Sequence, residues 1–195
     1  MNEVLVPRLV VLCDFDGTIT SQDVGNAILH HYADPRWMDY ELRWKSGEIG
    51  SALRYQLQYS LVRAGRDELE RFVEQFELMP GFLEFLGWSQ VAGVKVAIVS
   101  DGFDFYIRRI LVDKFGLSPL ECFCNRLLFE PRGIRLEYPH FNVDCGVCAN
   151  CKAGVLQKLR GEAFEAAGRP IPVFYVGDGY TDKYVAHFAD VVFAR

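Results

Sequence analysis

The sequence LVVLCDFDGTIT, from Leu9 to Thr20, decides the fold of this chain. Its first five residues are apolar, and a short apolar run is typical of a strand buried on both faces of a parallel sheet. The run ends on Asp14 and Asp16, which share one side of an extended chain. Gly17 and Thr18 then predict a tight turn. Because ligands of open α/β folds bind at such strand ends, the two carboxylates predict a site for a hard cation.

Composition limits the class of protein. The chain has 195 residues, of which 50% are hydrophobic, enough for one domain with a modest insertion. The net charge of −5 argues against a nucleic-acid partner. The longest apolar runs are too short to span a membrane, so we expect no membrane contact. Six cysteines without a secretory signal predict a cytoplasmic protein with reduced thiols.

Residues 21–80 form a helical segment in our interpretation. Ile49, Leu53, Leu57 and Leu61 recur every four residues, which predicts one face of an amphipathic helix. Further helices are predicted at Asp23–Tyr32, at Arg36–Lys45 and around residues 69–76. An insertion directly after the acidic strand end can form a lid over the carboxylates. The alternative is a bundle that only enlarges the hydrophobic core.

The rest of the chain alternates between strands and helices, as parallel βαβ units do. A β-hairpin is expected in residues 126–138, around Pro131-Arg-Gly133. The fold class is therefore α/β, a Rossmann-like parallel sheet between helices, with a helical cap inserted after the first strand and a hairpin excursion. We assign residues 1–20 and 81–195 to the α/β core domain and residues 21–80 to the cap. The predicted strands are Lys95–Ser100, Val173–Val176 and Asp190–Ala194, and the predicted helices are Phe82–Val91, Phe105–Phe115 and Lys152–Ala167.

Polar residues follow three of the predicted strands, and parallel strands bring such ends to one edge of a sheet. Carboxylate oxygens at this edge suit Mg²⁺ together with a phosphate. A serine hydroxyl and a lysine ammonium suit phosphate oxygens, and one carboxylate can attack phosphorus while the other moves a proton. These side chains are Asp14, Asp16, Ser100, Lys152, Asp178 and Asp182. Lys158 is the alternative to Lys152, but it lies almost two turns further along the helix.

The motifs DFDGT, Ser100 after a strand, a downstream lysine and GDGYTD occur in the order of the haloacid dehalogenase superfamily of phosphatases, which the chain resembles over nearly its whole length. The resemblance implies that Asp14 is the nucleophile and Asp16 the general acid and base, with a backbone carbonyl for Mg²⁺. It implies that Ser100 and Lys152 bind phosphate. It also implies that Asp178 binds Mg²⁺ with support from Asp182, and that the insert is a cap like that of phosphoserine phosphatase.

The segment SDGFDFYI and the cysteines before Lys152 resemble the branch of methionine-salvage and phosphoethanolamine or phosphocholine phosphatases. A small phosphorylated metabolite is therefore expected, and the salvage substrate is favoured over phosphoserine, phosphocholine or phosphoethanolamine. Candidate substrate-binding residues are Asp23, Arg54, Asp101 and Gly102. A phospho-aspartate signalling switch is the alternative of another class, but Asp16 would speed the breakdown of its phosphoryl group. Whether the chain is a monomer or a homodimer stays open.

The segment Cys145-x-x-Cys148-x-x-Cys151 has a spacing that can wrap a zinc ion. Its fourth ligand would be His140, Cys122 or Cys124. The alternative is a loop packed through its thiols that only positions Lys152. Zinc is thus a candidate second metal besides the expected Mg²⁺.

Overall fold

A computed structural model describes residues 6–195. Residues 1–5, which we assigned to the α/β core, lie outside the described part. Six strands form one sheet in the order β4-β3-β2-β1-β5-β6. All neighbouring strands are parallel except β3 and β4, which form an antiparallel hairpin. The strands are β1 (Leu9–Cys13), β2 (Val94–Phe103), β3 (Glu121–Glu130), β4 (Gly133–Glu137), β5 (Val173–Gly177) and β6 (Val191–Ala194).

Five helices lie between β1 and β2 in the chain, and the first four of them occupy the segment where the helical insertion was predicted. The other helices connect or follow the later strands, and together they complete the α/β architecture expected from the sequence. The helices are α1 (Val24–Tyr32), α2 (Trp37–Lys45), α3 (Ser51–Tyr59), α4 (Arg66–Val73), α5 (Phe82–Ala92), α6 (Asp104–Arg108), α7 (Lys152–Ala167) and α8 (Asp182–Ala186).

The central position of β1 explains its apolar sequence. β1 pairs with β2 on one side and with β5 on the other, so both of its edges are covered. Val11 packs into the cluster that includes the helices of the insertion, whereas Val10 and Leu12 pack against α7 on the opposite face. The strand therefore needs apolar residues at consecutive positions, and its carboxyl end is held at the middle of the sheet edge.

Some elements differ from their predicted bounds. β2 continues to Phe103, so Ser100 lies inside a strand, although its pairing with β3 is irregular between Val99 and Phe103. β3 begins at Glu121 because it first pairs with β2 and only then turns into the hairpin. The helix predicted at Phe105–Phe115 is α-helical in α6 and π-helical over Arg109–Lys114. The tertiary partner in each case lies far along the chain, beyond the reach of local periodicity.

The four-helix insertion contacts the rest of the chain at several points. Thr20 and Leu78 form an isolated antiparallel bridge where the chain leaves and returns. The backbone N–H of Ser51 donates to Val147 O at 2.8 Å, and the Tyr138 hydroxyl donates to Ala52 O at 2.8 Å. The N-terminal turn of α3 is therefore tied to the loop after the hairpin. The division into a core domain and a cap domain stays a prediction.

Within residues 6–195, no helix has the length and apolar character needed to cross a bilayer.

Replacing Leu12 by alanine should lower the free energy of unfolding by about 2–5 kcal/mol, because the side chain is fully buried and leaves a cavity against α7. Leu42 is 65% exposed on α2, so Leu42→Ala is the matched control and should change the value by less than about 0.5 kcal/mol. Urea denaturation followed by circular dichroism measures both. Equal losses for the two variants would contradict the assigned core.

Candidate active site

The turn after β1 fixes the direction of Asp14. The N–H of Asp14 donates to Val176 O at 2.9 Å, and Phe15 O accepts from the N–H groups of Thr18 and Ile19 at 3.2 and 2.9 Å. Gly17 has a φ of 74°, and a Cβ there would lie 2.4 Å from the Asp178 side chain. A glycine is thus required, since it allows the left-handed backbone and the close approach of the loop after β5.

The Asp16 carboxyl has hydrogen-bond donors on both oxygens. The N–H of Val24 donates to Oδ1 at 2.9 Å, and that of Gly25 donates to the same oxygen at 3.4 Å. The Tyr106 hydroxyl donates to Oδ2 at 2.6 Å. Burial and the nearby Asp23 and Asp14 raise the pKa of Asp16 well above its usual value, against the effect of these hydrogen bonds. This shift favours the protonated carboxyl, the form that a general acid needs.

Lys152 is the first residue of α7 and joins two carboxylates. Its Nζ donates to Asp14 Oδ2 and to Asp182 Oδ1, each at 2.7 Å, and Tyr175 Oη lies at 3.4 Å. Burial alone would lower the pKa of the ammonium, but Asp14, Tyr175 and Asp182 outweigh it and hold the pKa well above its usual value. Lys152 therefore stays charged. Lys158, its alternative in the sequence, is exposed and pairs with Glu162.

Ser100 and Asp101 occupy the end of β2 beside Asp14. The Ser100 side chain is 1% exposed, and its Oγ accepts the N–H of Gly102 at 3.0 Å, which leaves the hydroxyl proton free to donate. Asp101 Oδ1 accepts the N–H of Asn150 at 3.0 Å. Asp101 Oδ2 is buried without a hydrogen-bond partner among the described residues. The end of β2 thus offers one free donor and one free acceptor.

The carboxylates at this edge fit a divalent cation. Asp14, Asp178 and Asp182 each offer an oxygen within 4.8 Å of the others. When all three carboxylates are ionised, the ammonium of Lys152 balances one of the three negative charges. Two negative charges then remain uncompensated. Burial raises the pKa of Asp14 to about 7, although Lys152 works in the opposite direction. Oxygen ligands with two excess charges match the preference of Mg²⁺. Thr18 Oγ1 donates to Asp178 Oδ1 at 2.8 Å and orients that carboxylate.

A cavity of about 570 Å³ opens over these side chains, and the helices of the insertion form its far wall. Arg54 is buried in that wall, with its guanidinium carbon 3.8 Å from the ring centroid of Trp44 and 4.2 Å from that of Tyr55. Arg54 also pairs with Glu41 at 3.4 Å. The lining includes the predicted site residues apart from Asp182 and the three cysteines of the zinc motif, namely Asp14, Asp16, Asp23, Arg54, Ser100, Asp101, Gly102, Lys152 and Asp178.

Asp23 has a structural role that the sequence did not predict. It precedes α1, and its Oδ1 accepts the N–H of Asn26 at 2.7 Å, which makes it the N-cap of that helix. The carboxylate lines the cavity as well. One carboxylate can do both, since each oxygen has two lone pairs. The predicted role in substrate binding stays a prediction.

The predicted zinc site at Cys145, Cys148 and Cys151 is not supported. Within residues 6–195, the side chains of His, Cys, Asp and Glu that gather within ligand distance are the three carboxylates described above. In this loop, Val147 O accepts the N–H of Ser51 at the start of α3, and the N–H of Cys151 donates to His140 O at 2.9 Å. Cys145 is left exposed, and Cys122 and Cys124 lie on β3.

Two side chains that we did not predict support the site. Asn150, directly before Cys151 and Lys152, donates through Nδ2 to Ser100 O and to Phe123 O, each at 2.7 Å. It thereby attaches the start of α7 to the ends of β2 and β3. Tyr106 contacts Asp16 from α6. Asn150 is adjacent to the lysine motif, which could have drawn attention to it, whereas no local signal distinguishes Tyr106 from a core aromatic residue.

Comparison with known proteins gives a consistent set of matches. The family model described as haloacid dehalogenase-like hydrolase matches residues 11–187. A 2-hydroxy-3-keto-5-methylthiopentenyl-1-phosphate phosphatase from Geobacillus thermodenitrificans is 34% identical over 202 residues, covering 96% of this chain and 83% of the relative. One of the same name from an Exiguobacterium species is 31% identical, with 95% and 83% coverage. Among solved structures, a phosphoserine phosphatase holding an analogue of the phospho-aspartyl intermediate has a TM-score of 0.69 at 18% identity and covers 96% of this chain and 93% of its own.

Lys152→Ala should lower the free energy of unfolding by about 3–5 kcal/mol, because it leaves Asp14 and Asp182 buried without their counter-charge. The control is Lys158→Ala on the exposed side of the same helix, with an expected change below about 0.5 kcal/mol. Denaturation should be measured with a chelator present, so that no cation replaces the ammonium. Solvent-exposed ion pairs contribute about 0–1 kcal/mol. A loss in the free energy of unfolding below about 1 kcal/mol would therefore show that the ion cluster is not formed as described.

Proposed function

This chain belongs to the haloacid dehalogenase-like hydrolase family and is a phosphatase, and we propose that it hydrolyses a small phosphorylated metabolite through an aspartyl-phosphate. The observation that carries this proposal is the placement of Asp14 and Asp16 at one strand end, in a single cavity with Ser100, Lys152 and Asp178. Together they supply a nucleophile, a proton carrier, donors for phosphate oxygens and ligands for a cation. No single group could supply the acceleration, since uncatalysed phosphate monoester hydrolysis is among the slowest biological reactions, up to ~10²¹-fold slower than the enzymatic one.

In the first step, a carboxylate oxygen of Asp14 attacks phosphorus as the bond to the leaving oxygen breaks. The Asp16 carboxyl gives its proton to that oxygen, and an alcohol departs. Phe15 N–H on Oδ1 and Lys152 on Oδ2 keep the Asp14 carboxylate in one orientation for the attack. The hydroxyl proton of Ser100 is free to bind an oxygen of the phosphoryl group.

In the second step, Asp16 takes a proton from a water molecule, and the water oxygen attacks the phosphorus of the aspartyl-phosphate. Inorganic phosphate leaves, and the Asp14 carboxylate and the Asp16 carboxyl are restored. The same side chain serves as acid and then as base, which requires the raised pKa that its burial produces.

We propose that Asp14, Asp178 and the backbone carbonyl of Asp16 hold Mg²⁺, with Asp182 in a supporting position. When bound, Mg²⁺ neutralises negative charge on the phosphoryl oxygens and the carboxylates. Asp182 receives hydrogen bonds from Lys152, Tyr175 and the N–H of Gly179, so most of its lone pairs are already used. Its part is then to orient the lysine and the loop after β5.

The substrate we propose is 2-hydroxy-3-keto-5-methylthiopentenyl-1-phosphate, which the relatives are named for. The wall opposite the carboxylates carries Trp37, Met38, Leu42, Trp44 and Tyr55. Aromatic rings and a thioether suit a methylthio end, since sulfur–aromatic contacts are favourable by about 0.3–1.5 kcal/mol. Arg54, held between two rings, suits the keto and hydroxyl oxygens. We propose in addition that the insertion closes over this cavity as a lid.

A phosphorylated amine is the second candidate, and one observation favours it. Asp23, Glu41 and Asp101 all line the cavity near the aromatic rings, and carboxylates with aromatic faces suit a cationic head group. Initial rates with the methylthiopentenyl phosphate, phosphoserine, phosphocholine and phosphoethanolamine decide between them. We expect kcat/KM to be at least tenfold higher for the first compound, on the order of the discrimination that a fitted pocket provides. Higher values for phosphocholine would favour the amine.

Asp14→Asn should reduce the hydrolysis of 4-nitrophenyl phosphate by more than about 10³-fold, because an amide cannot form the acyl phosphate. Circular dichroism should show an unchanged fold. Asp39 is an exposed acid on α2 away from the cavity, and Asp39→Asn is expected to keep the wild-type rate. Hydrolysis retained in Asp14→Asn would exclude the proposed nucleophile.

Mg²⁺ should raise the melting temperature of the wild-type protein in the absence of any substrate, because a ligand that binds only the folded state stabilises it. Asp178→Asn removes one proposed ligand and should raise the Mg²⁺ concentration needed for the half-maximal shift by at least about tenfold. Differential scanning calorimetry with increasing Mg²⁺ measures this, and Ca²⁺ serves as a comparison for size. If Asp178→Asn shows the wild-type shift in melting temperature at the same Mg²⁺ concentration, the cation does not bind at Asp178.

A further inference from the structure

Tyr106 on α6 is the one aromatic side chain of the described residues whose hydroxyl bonds to Asp16. The distance from Oη to Asp16 Oδ2 is 2.6 Å, and Tyr106 is 1% exposed. The two residues are 90 positions apart in the sequence and come from different elements. A short hydrogen bond from a buried hydroxyl to a charged oxygen is among the stronger contacts in proteins.

We propose that Tyr106 is a positioning residue that fixes the Asp16 carboxyl for proton transfer in both steps of the reaction. This inference rests on the proposed role of Asp16 as acid and base. Backbone N–H groups of Val24 and Gly25 hold Oδ1, and Tyr106 holds Oδ2, so rotation about the Cβ–Cγ bond is blocked from both ends.

The placement of the donors also decides which oxygen is open to proton transfer. Oδ1 faces N–H groups, which can only donate, so it acts as an acceptor. Proton transfer therefore takes place at Oδ2. Tyr106 occupies one lone pair of Oδ2, and the proton is lost or gained along the remaining direction. Because a tyrosine hydroxyl can donate to Oδ2 whether or not that oxygen is protonated, the carboxyl keeps its orientation while it alternates between acid and base.

The packing around the contact shows that it is built into the fold. The Tyr106 ring lies against Phe15, at 6.0 Å between centroids, and against Phe103, at 6.4 Å. A Cβ on Gly102 would lie 2.2 Å from Tyr106 Oη and 2.5 Å from Asp16 Oδ2. Only glycine at that position leaves room for the two oxygens to meet, which gives Gly102 a role other than the substrate contact predicted for it.

The test compares leaving groups in Tyr106→Phe. An alkyl phosphate needs a proton on its departing oxygen, whereas 4-nitrophenyl phosphate does not, because nitrophenolate is a weak base. We expect kcat for the alkyl phosphate to fall at least about tenfold with KM unchanged. With 4-nitrophenyl phosphate, the first turnover should keep its rate and the later ones should slow. Stopped-flow measurement should then show a burst of nitrophenolate absent from the wild type, since the aspartyl-phosphate accumulates.

Two further variants separate positioning from a structural role. Gly102→Ala should give the same split between leaving groups, because its methyl group separates Oη from Oδ2. Tyr32→Phe is the control, because it removes the hydroxyl of a tyrosine on α1 whose ring packs on Phe72. This variant should leave all rates unchanged. Circular dichroism checks that each variant is folded.

Three outcomes would overturn the inference. Wild-type rates in Tyr106→Phe would mean that the hydroxyl does not act on Asp16. An equal loss of the first turnover with both leaving groups, accompanied by a change in KM, would indicate that Tyr106 only supports the cavity wall. If the proposed function itself is wrong, Asp14→Asn retains the wild-type rate, and the inference about Tyr106 is overturned with it. This result distinguishes the third outcome from the other two.

Discussion

The buried cluster of Lys152 with Asp14 and Asp182 is the interaction on which the rest of the site depends. Both carboxylates lie 2.7 Å from one ammonium, and the three residues come from the end of β1, the start of α7 and the start of α8. Removing such ions from water costs several kcal/mol each, and the cluster is tolerable only with accurate geometry and additional hydrogen bonds. Phe15 N–H, Tyr175 and Gly179 N–H provide those bonds. The same contacts that stabilise the charges also hold the Asp14 carboxylate in a fixed orientation.

The sequence predicted the elements that depend on local pattern. The α/β fold, the family and the phosphatase activity are confirmed, and α7 spans Lys152–Ala167, close to the helix predicted from Lys152 to about Ala167. Asp14, Ser100, Lys152 and Asp178 were expected at one sheet edge, and they line one cavity. Their individual roles stay predictions. The hydrogen bonds of Tyr106 and Asn150 were not predictable, because each joins segments that only the folded chain brings together. The zinc site is not supported for a related reason, since spacing alone does not show whether ligand atoms converge in the folded chain.

The two halves of the cavity have different kinds of surface. The strand ends present oxygens and one ammonium in fixed directions, as bond making at phosphorus requires. The helical wall presents broad rings around Arg54, whose Nε is buried without an acceptor among the described residues. A buried donor of this kind carries an energetic cost until a suitable oxygen arrives. If the proposed function is right, an oxygen of the substrate would satisfy this donor, and substrate selection would rest on the helical wall rather than on the strand ends.

The central place of β1 has a consequence for how the chain reaches its native state. β1 is synthesised before its partners, but β2 lies beyond five helices and β5 lies near the C-terminal end of the described chain. Thr18 meets Asp178 across 160 residues, and Asp14 meets Lys152 across 138. Contacts of such separation slow folding, because the entropy of closing long loops is lost before the contacts form. On the ribosome, β1 is therefore made first of the six strands, and its edge toward β5 stays open until residues 173–177 have been synthesised. An apolar strand with an open edge is prone to wrong pairing during that time, so β1 is the part of the sheet that chaperones would protect.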